Sequence, residues 1–334
     1  MFEFTVKRLL YSIPALLLVL IIIFGLVRFI PGDPAVALLG AGATNSQIEF
    51  LREQLDLNEP VSKQFLSYVS GLFQGDLGDS LRTKKPVMQE LLSRLPATIE
   101  LSIFAALLAI IIGIPIGIIS SLFPNSLFDQ ITRIFSLIGV STPAFWLALI
   151  LQIIFSLNLG WFPISGRVDV YSGASSTGGF LILGNLFAGN FSVAWNAFQH
   201  VILPASVLAA FYGATIARFL RSNMLEVINS DYIRTANGKG LHKLSIIFRH
   251  EIRNAILPVI TVMGLKFAEL LSGSILTETV FSWPGIGRFM FEAISVRDYP
   301  VVQGATLFFA VVYMVSSFLV DLLYGTLDPR IRVK

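Results

Sequence analysis

Six stretches of this chain are too long and too apolar for the core helices of a water-soluble domain. They run over Leu9–Phe29, Ile99–Leu122, Ile134–Leu157, Val201–Leu220, Ile256–Leu276 and Val301–Tyr324. The first holds 21 residues interrupted only by Arg28, and as a helix it extends about 32 Å. That is enough to cross a hydrocarbon core of roughly 30 Å. Lipid offers no partner to an exposed backbone N–H or C=O, so such stretches cross as helices. Pro115 and the glycines of the second stretch do not exclude it, because membrane helices tolerate both. Composition agrees: 13% of the residues are charged, against about 25% in soluble domains. The expected fold class is an all-α polytopic membrane protein with six transmembrane helices.

Lys7 and Arg8 give the first stretch the basic flank of a signal peptide. Its apolar run exceeds the roughly 7–15 residues of such signals, and Ala41-Gly42-Ala43 lies too far beyond it to serve as a cleavage site. An uncleaved first helix is expected. Orientation follows from the cations. With the N-terminus inside, cytoplasmic segments collect Lys7, Arg8, Arg133, Arg218, Arg221, Arg234, Lys239, Lys243, Arg249, Arg253, Arg330, Arg332 and Lys334, thirteen of 24. The short loops around Arg167 and Arg288 are poor in them, as the positive-inside rule requires. Pro31–Pro96 carries six cations, but loops of its length translocate largely regardless of charge. Both termini are expected in the cytoplasm.

Three parts follow: a first helix over 1–30, an extracytoplasmic segment over 31–98, and a five-helix core over 99–334. In the outer segment, Asn45–Leu55 and Val61–Phe73 have helical spacing, with a turn near Asn58-Glu59-Pro60. A second outer stretch, Asn158–His200, is rich in Gly and Ser and carries Trp161, Phe162 and Trp195. It reads either as an interfacial cap anchored by aromatic side chains or as an irregular loop. Gly113 and Gly117, four apart in the second span, favour close helix packing over substrate contact.

Several chemistries are missing. Cysteine is absent, which excludes disulfides, thiolate metal sites and cysteine nucleophiles. Gly238-Lys239-Gly240 has no hydroxyl after the lysine and cannot form a phosphate-and-magnesium cradle. His200, His242 and His250 make no zinc pattern, and no nucleophile elbow occurs. The chain is expected not to be an enzyme, to hold no cofactor or metal, and to bind no nucleic acid. Any ATP it uses belongs to another subunit.

Between the fourth and fifth spans, Arg221–Ala255 is not apolar enough to be buried in lipid. Ser222–Ile233 and Leu241–Ile252 read as two short amphipathic helices. Gly238 and Gly240 permit a sharp turn between them, since glycine accepts positive φ. Charge alone does not distinguish this docking element from a solvated loop. Its residues do: Arg234, Thr235, Ala236 and, four further on, Gly240 resemble the cytoplasmic Glu-Ala-Ala-x3-Gly signature of ABC importer permeases, in the form of the peptide/nickel branch. Asn237 and Gly238 depart from the Arg and Ala more common there, and Leu257-Pro258 matches the branch downstream. Gly32-Asp33-Pro34, Gly75-Asp76-Leu77-Gly78, Pro143 with Phe145-Trp146, Trp161-Phe162-Pro163 and Phe281–Gly287 match its patterns in order, over nearly the whole chain. The sequence is similar to a B-type permease of a dipeptide or oligopeptide importer.

That resemblance implies the type I ABC importer permease fold, in the prokaryotic plasma (inner) membrane. It also implies a second homologous permease, two cytoplasmic ATPase subunits carrying ATP and Mg, and an extracytoplasmic substrate-binding protein. Tyr232, Arg234, Thr235, Ala236, Gly240 and Leu241 would form the ATPase-coupling element, drawn inward when the ATPases close. Lys266 and Glu269, three apart in the fifth span, share a helix face. Two readings stay open for them: contact with the charged ends of a solute, or a local ion pair offsetting burial. Glu278, near the outer end of that span, is expected at an outer gate or the binding-protein interface. Glu100 and Asp321 are expected to reach the membrane surface. Peptide is the default solute, with nickel chelate, glutathione or oligosaccharide as alternatives. An ion-gradient-driven carrier and a membrane scaffold or receptor are the readings outside this class.

Overall fold

The structure, a computed structural model, describes residues 2–29, 35–36, 42–54, 57–169, 179–272 and 274–327. Gly32-Asp33-Pro34 and the cations Arg330, Arg332 and Lys334 lie outside these, as do the side chains of Lys7, Arg8 and Asp321. The described residues contain no strand, only an isolated bridge between Asp79 and Pro86. The chain is almost entirely helical.

Helix α1 (Phe2–Phe29) is followed by two short outer helices, α2 (Asn45–Gln54) and α3 (Val61–Phe73). Before α2, the Thr44 N–H donates to Gln47 Oε1 (3.0 Å) and the Gln47 N–H returns to Thr44 Oγ1 (3.4 Å), a capping box. Helix α4 (Val87–Leu122) has 36 residues, and α8 (Phe191–Ile228) has 38, so each extends about 54–57 Å and projects well beyond a bilayer core. Between them lie α5 (Leu127–Ser141), α6 (Ala144–Asn158) and the short α7 (Ile182–Phe187). Then come α9 (Asp231–Gly238), α10 (Lys243–Leu271), α11 (Ile275–Val280), α12 (Ile286–Ser295) and α13 (Tyr299–Leu327).

The central seam is α4 on α8. A Cβ built on Gly113 would stand 2.7 Å from the Gly213 carbonyl oxygen, and one on Gly117 2.9 Å from that of Ala217. With no hydrophobic force between helices in lipid, association depends on such close approach. Ala105, Ala109, Ala209 and Gly213 continue the seam, and Leu101, Ile216, Leu220 and Met224 fill the space around it. The opposite surfaces of the bundle carry exposed Ile111, Ile134, Phe135, Val315 and Leu319, side chains that only a hydrocarbon surrounding stabilises.

Three expectations change. The third span is not one helix: α5 and α6 meet at 108°. Pro143 disfavours the helical conformation at Thr142, which is extended (φ −80°, ψ 127°), and the chain turns there. Among the described residues, four helices are long and apolar enough to cross a membrane, five if the bent pair counts as one span. Second, Ser222–Ile233 is not a separate surface helix, because α8 runs without a break to Ile228. Third, Leu241–Ile252 is the start of α10, which begins at Lys243 and passes through a π-turn at Ile247–Glu251 into its apolar part. The loop therefore holds one free-standing helix, α9, set between the projecting ends of two long ones.

Candidate functional site

Helix α9 starts from Ser230, whose carbonyl accepts the N–H groups of Ile233 and Arg234 (both 3.2 Å). Its first turn carries Asp231, favourable at the positive end of the helix dipole. It ends in a Schellman motif: the Leu241 N–H reaches the Ala236 carbonyl (3.4 Å) and the Gly240 N–H that of Asn237 (3.0 Å). This closure requires a left-handed residue, and Gly240 supplies it with φ +72°. Gly238 does not share the turn, as the sequence suggested, but closes the helix in ordinary helical conformation.

Ile233, Ala236 and Ile246 are buried against Val227, so α9 is fastened to the base of α8 and the start of α10 by its own small apolar cluster. Ala236 belongs to that cluster, not to the exposed face. The other face presents Tyr232, Arg234 and Thr235, and beyond the turn Leu241, Leu244 and Phe248; Phe248 is 68% exposed. Arg234 lies 3.5 Å from Asp231 in a fully wet pair. The helix thus projects aromatic and aliphatic side chains into solvent, an arrangement suited to contact with another protein.

Lys266 and Glu269 meet. Lys266 Nζ donates to Glu269 Oε2 (2.6 Å), and the ammonium lies 5.9 Å from the centre of the Tyr212 ring. The pair is half-exposed, and Lys266 and Tyr212 line a cavity of about 300 Å³ between α4, α8, α10 and α13. Glu278 is elsewhere. It sits on α11 and is fully buried, accepting from Thr98 Oγ1 and the Arg288 N–H (both 3.0 Å). A Cβ on Gly285 or Gly287 would collide with its carboxylate. Trp283, also fully buried, donates its indole N–H to the Ala97 carbonyl (2.9 Å). Glu278 thus ties the Trp283–Gly287 turn to α4 and touches no open surface. Burial raises its pKa to about 7.

Two further buried carboxylates had no visible partner in the sequence. Glu100 is buried rather than open to solvent: it accepts from Arg167 Nη2 (2.5 Å) and the Ile182 N–H (2.7 Å), while Arg167 also donates to the Gly179 carbonyl (2.7 Å). The outer stretch 158–190 is clamped onto α4 in this way. Asp129, in the first turn of α5, accepts from Arg221 Nε (2.6 Å) and Nη2 (2.8 Å) and from the Asn125 N–H (2.9 Å). These partners lie 67 and 92 residues away in sequence, so no local pattern announces them.

A bundle of long apolar helices with exposed aliphatic faces and one short helix projecting from it defines a polytopic helical membrane protein. Residues 113–333 match the binding-protein-dependent transport system inner membrane component, and residues 1–102 match the N-terminal part of such components. The chain belongs to this family, the inner-membrane permeases of bacterial ABC importers. It is 47% identical to the dipeptide transport system permease protein of Alkalihalophilus pseudofirmus, over 99% of this chain and 100% of that protein. A probable D,D-dipeptide transport system permease protein of Escherichia coli is 45% identical, covering 94% and 92%. A glutathione transport system permease protein of Pectobacterium atrosepticum is 38% identical, covering both chains completely. Among solved structures, the inward-facing MetNI methionine ABC transporter aligns with TM-score 0.50 at 14% identity, over 72% of this chain and 97% of that one. At that identity the likeness concerns the fold.

Proposed function

We propose that this chain is one half of the translocation pathway of an ATP-driven peptide importer. It pairs with a second, homologous permease, takes peptide from an extracytoplasmic binding protein, and is driven by two cytoplasmic ATPases that hold the ATP and Mg. The observation that carries the reading is α9: a helix closed by a glycine Schellman turn, anchored by its own cluster, with Tyr232 and Leu241 projecting. The dipeptide transport names of full-length relatives support the solute class.

In this reading six helices span the membrane, with α1 and the bent α5–α6 pair counted, and both termini lie inside. Residues 31–98 form the outer segment and 99–334 the core, with the coupling loop at 221–255. Tyr232, Arg234, Thr235 and Leu241 contact the ATPase, while Ala236 and Gly240 hold the helix that presents them. Closure of the ATPases on ATP moves α9, and because α9 is fixed to α8 and α10, the helices rock as bodies around the pathway. Lys266 and Glu269 face that pathway, exchanging their mutual pair for the carboxylate and amine of a passing peptide. The glutathione permease relative favours a second reading of the same machinery, with a tripeptide thiol as cargo.

The chain has no cysteine, so a single Tyr232→Cys can be cross-linked cleanly. In the assembled complex, expected cross-links join this position to an ATPase subunit, with a yield that changes between ATP-bound and nucleotide-free states. An equal failure to cross-link from Tyr232→Cys and Leu241→Cys in a complex that still hydrolyses ATP would remove α9 from the coupling interface.

A further inference from the structure

Two adjoining cavities on the flank of α5 and α8 together have the polarity of a phospholipid. The first, about 410 Å³, is lined by Arg133, Arg218 and Arg221 with the hydroxyls of Ser120, Thr132 and Ser136. The second, about 520 Å³, shares Ile116, Thr132, Ser136 and Ala217 with it and is almost wholly apolar. Small residues of both helices (Gly139, Ala210, Gly213, Ala214) line it, and the exposed Phe135 and Trp146 stand at its rim. From Ser206 to Arg221 the groove follows α8 for about 22 Å. That is about half of the roughly 40–45 Å of a bilayer with its headgroups, the depth of one lipid molecule.

The polar end has surplus positive charge. Asp129 is engaged by Arg221 at 2.6 and 2.8 Å and lies 3.6 Å from Arg133. Arg218 is exposed, and its one described protein partner is the Ser136 carbonyl at 3.3 Å. Three guanidinium groups thus face a single carboxylate. A phosphodiester completes that balance, and the hydroxyl of Ser136 lines the same cavity as a further donor.

We propose that this groove holds an anionic phospholipid of the cytoplasmic leaflet, its phosphate between Arg133 and Arg218 and one acyl chain along α5 and α8. The inference rests on the orientation given under Proposed function, which puts the arginine end of α8 at the cytoplasmic surface. A zwitterionic lipid brings its own cation into an already cationic pocket and binds less well. The site braces the end of α8 that carries α9, so the lipid bears on the docking helix without touching it.

The test is native mass spectrometry of the complete purified complex, titrated with phosphatidylglycerol, phosphatidylethanolamine and glycerol 3-phosphate. Phosphatidylglycerol is expected to bind selectively, and the soluble headgroup, lacking a chain for the trough, is not. Arg133→Gln with Arg218→Gln lowers phosphatidylglycerol affinity about 25-fold, at about fivefold per near-surface cation. Both side chains are exposed, and the variant leaves the closer Arg221 on Asp129, so it is expected to fold. Ala214→Phe, which fills the trough and leaves every cation in place, also loses the lipid. Equal binding of the two lipids, or an undiminished affinity in the double variant, overturns the proposal. Glycerol 3-phosphate binding as tightly as the lipid reduces the site to a free-phosphate pocket and overturns it too. So does a partner permease lying on the groove, which Phe135→Cys reveals by cross-linking to that chain. Orientation is read separately: labelling of Arg218→Cys from outside sealed cells refutes the cytoplasmic leaflet even where lipid selectivity holds.

Discussion

Alanine at Gly238 and alanine at Gly240 are the same chemical change two residues apart, and the structure gives them opposite signs. Gly240 has φ +72°, where an L-residue meets its own following carbonyl at a cost of about 1–2 kcal/mol. Nothing lies within 4 Å of a Cβ built there, so conformation alone sets that cost. Gly238 is helical and equally unobstructed. Replacing it with alanine removes backbone freedom from the unfolded segment and stabilises α9 by about 0.5–1 kcal/mol. The gap between the variants is about 2 kcal/mol, near 30-fold in the local opening constant. Amide hydrogen exchange of the detergent-solubilised complex reads this directly, through α9 and the Leu241 N–H that closes it. Exchange should slow in Gly238→Ala and quicken in Gly240→Ala, with the rest of the bundle unchanged because the Ile233–Ala236–Ile246 cluster is a small cooperative unit of its own. The reasoning is refuted if both variants shift exchange in the same direction, or if Gly238→Ala is the more disruptive.

Gly113→Leu drives a side chain into the α8 backbone, and over-packing of this kind costs about 1–3 kcal/mol; a thermal melt in detergent should fall, and an unchanged melt would mean the α4–α8 approach is looser than 2.7 Å implies. Arg167→Met leaves Glu100 buried and unpaired, a loss of about 3–5 kcal/mol, and adding Glu100→Met should recover most of it in the same melt. Glu278 has its folded pKa raised to about 7, so the folded state holds a proton that the unfolded state releases. Its contribution is therefore complete below the ordinary carboxylate range and is lost as pH rises to about 7, at up to about 1.4 kcal/mol per pH unit. Glu278→Gln should flatten the melt against pH across that window, and a slope unaltered by the substitution would place the titrating group elsewhere.

Much of the architecture was readable because it is written in local periodicity. Long apolar runs marked α4, α8, α10 and α13, and Val61–Phe73 was bounded correctly by Pro60 and by the end of its amphipathic spacing. The Gly113 and Gly117 spacing correctly pointed to packing. The bend at Thr142 was missed although Pro143 was in view, because a hydropathy window averages across a single residue that breaks a helix. The helices of the polar segment were mis-framed: amphipathic spacing continues smoothly from the end of α8 into α9, and only the Ser230 turn separates them. The buried carboxylates were illegible for a different reason. A lone Glu near a span end looks the same whether its carboxylate is solvated or meets an arginine 67 residues away, as that of Glu100 does. The same holds for Glu278, whose cradle is made by Thr98 and the turn at Gly285–Gly287 rather than by any neighbour on its own helix.

These buried pairs also bear on movement. Glu100–Arg167, Asp129–Arg221 and Glu278 each join segments distant in sequence, and all three anchor on α4 or α8. Breaking Glu100–Arg167 or Asp129–Arg221 during transport would leave a buried charge unpaired, a cost of several kcal/mol. These ties hold the outer stretch and α11 to α4, and α5 to α8, so each of these segments is expected to move with the helix that anchors it.

The most direct measurement is uptake of a labelled dipeptide by proteoliposomes containing this chain, its partner permease and both ATPases, with the binding protein supplied outside. Uptake should require ATP within the vesicles and the binding protein beyond them, and should persist when ionophores collapse every ion gradient. Uptake by the permeases without ATPase subunits, rising and falling with an ion gradient, would contradict the ATP-coupled importer and identify a gradient-driven carrier instead.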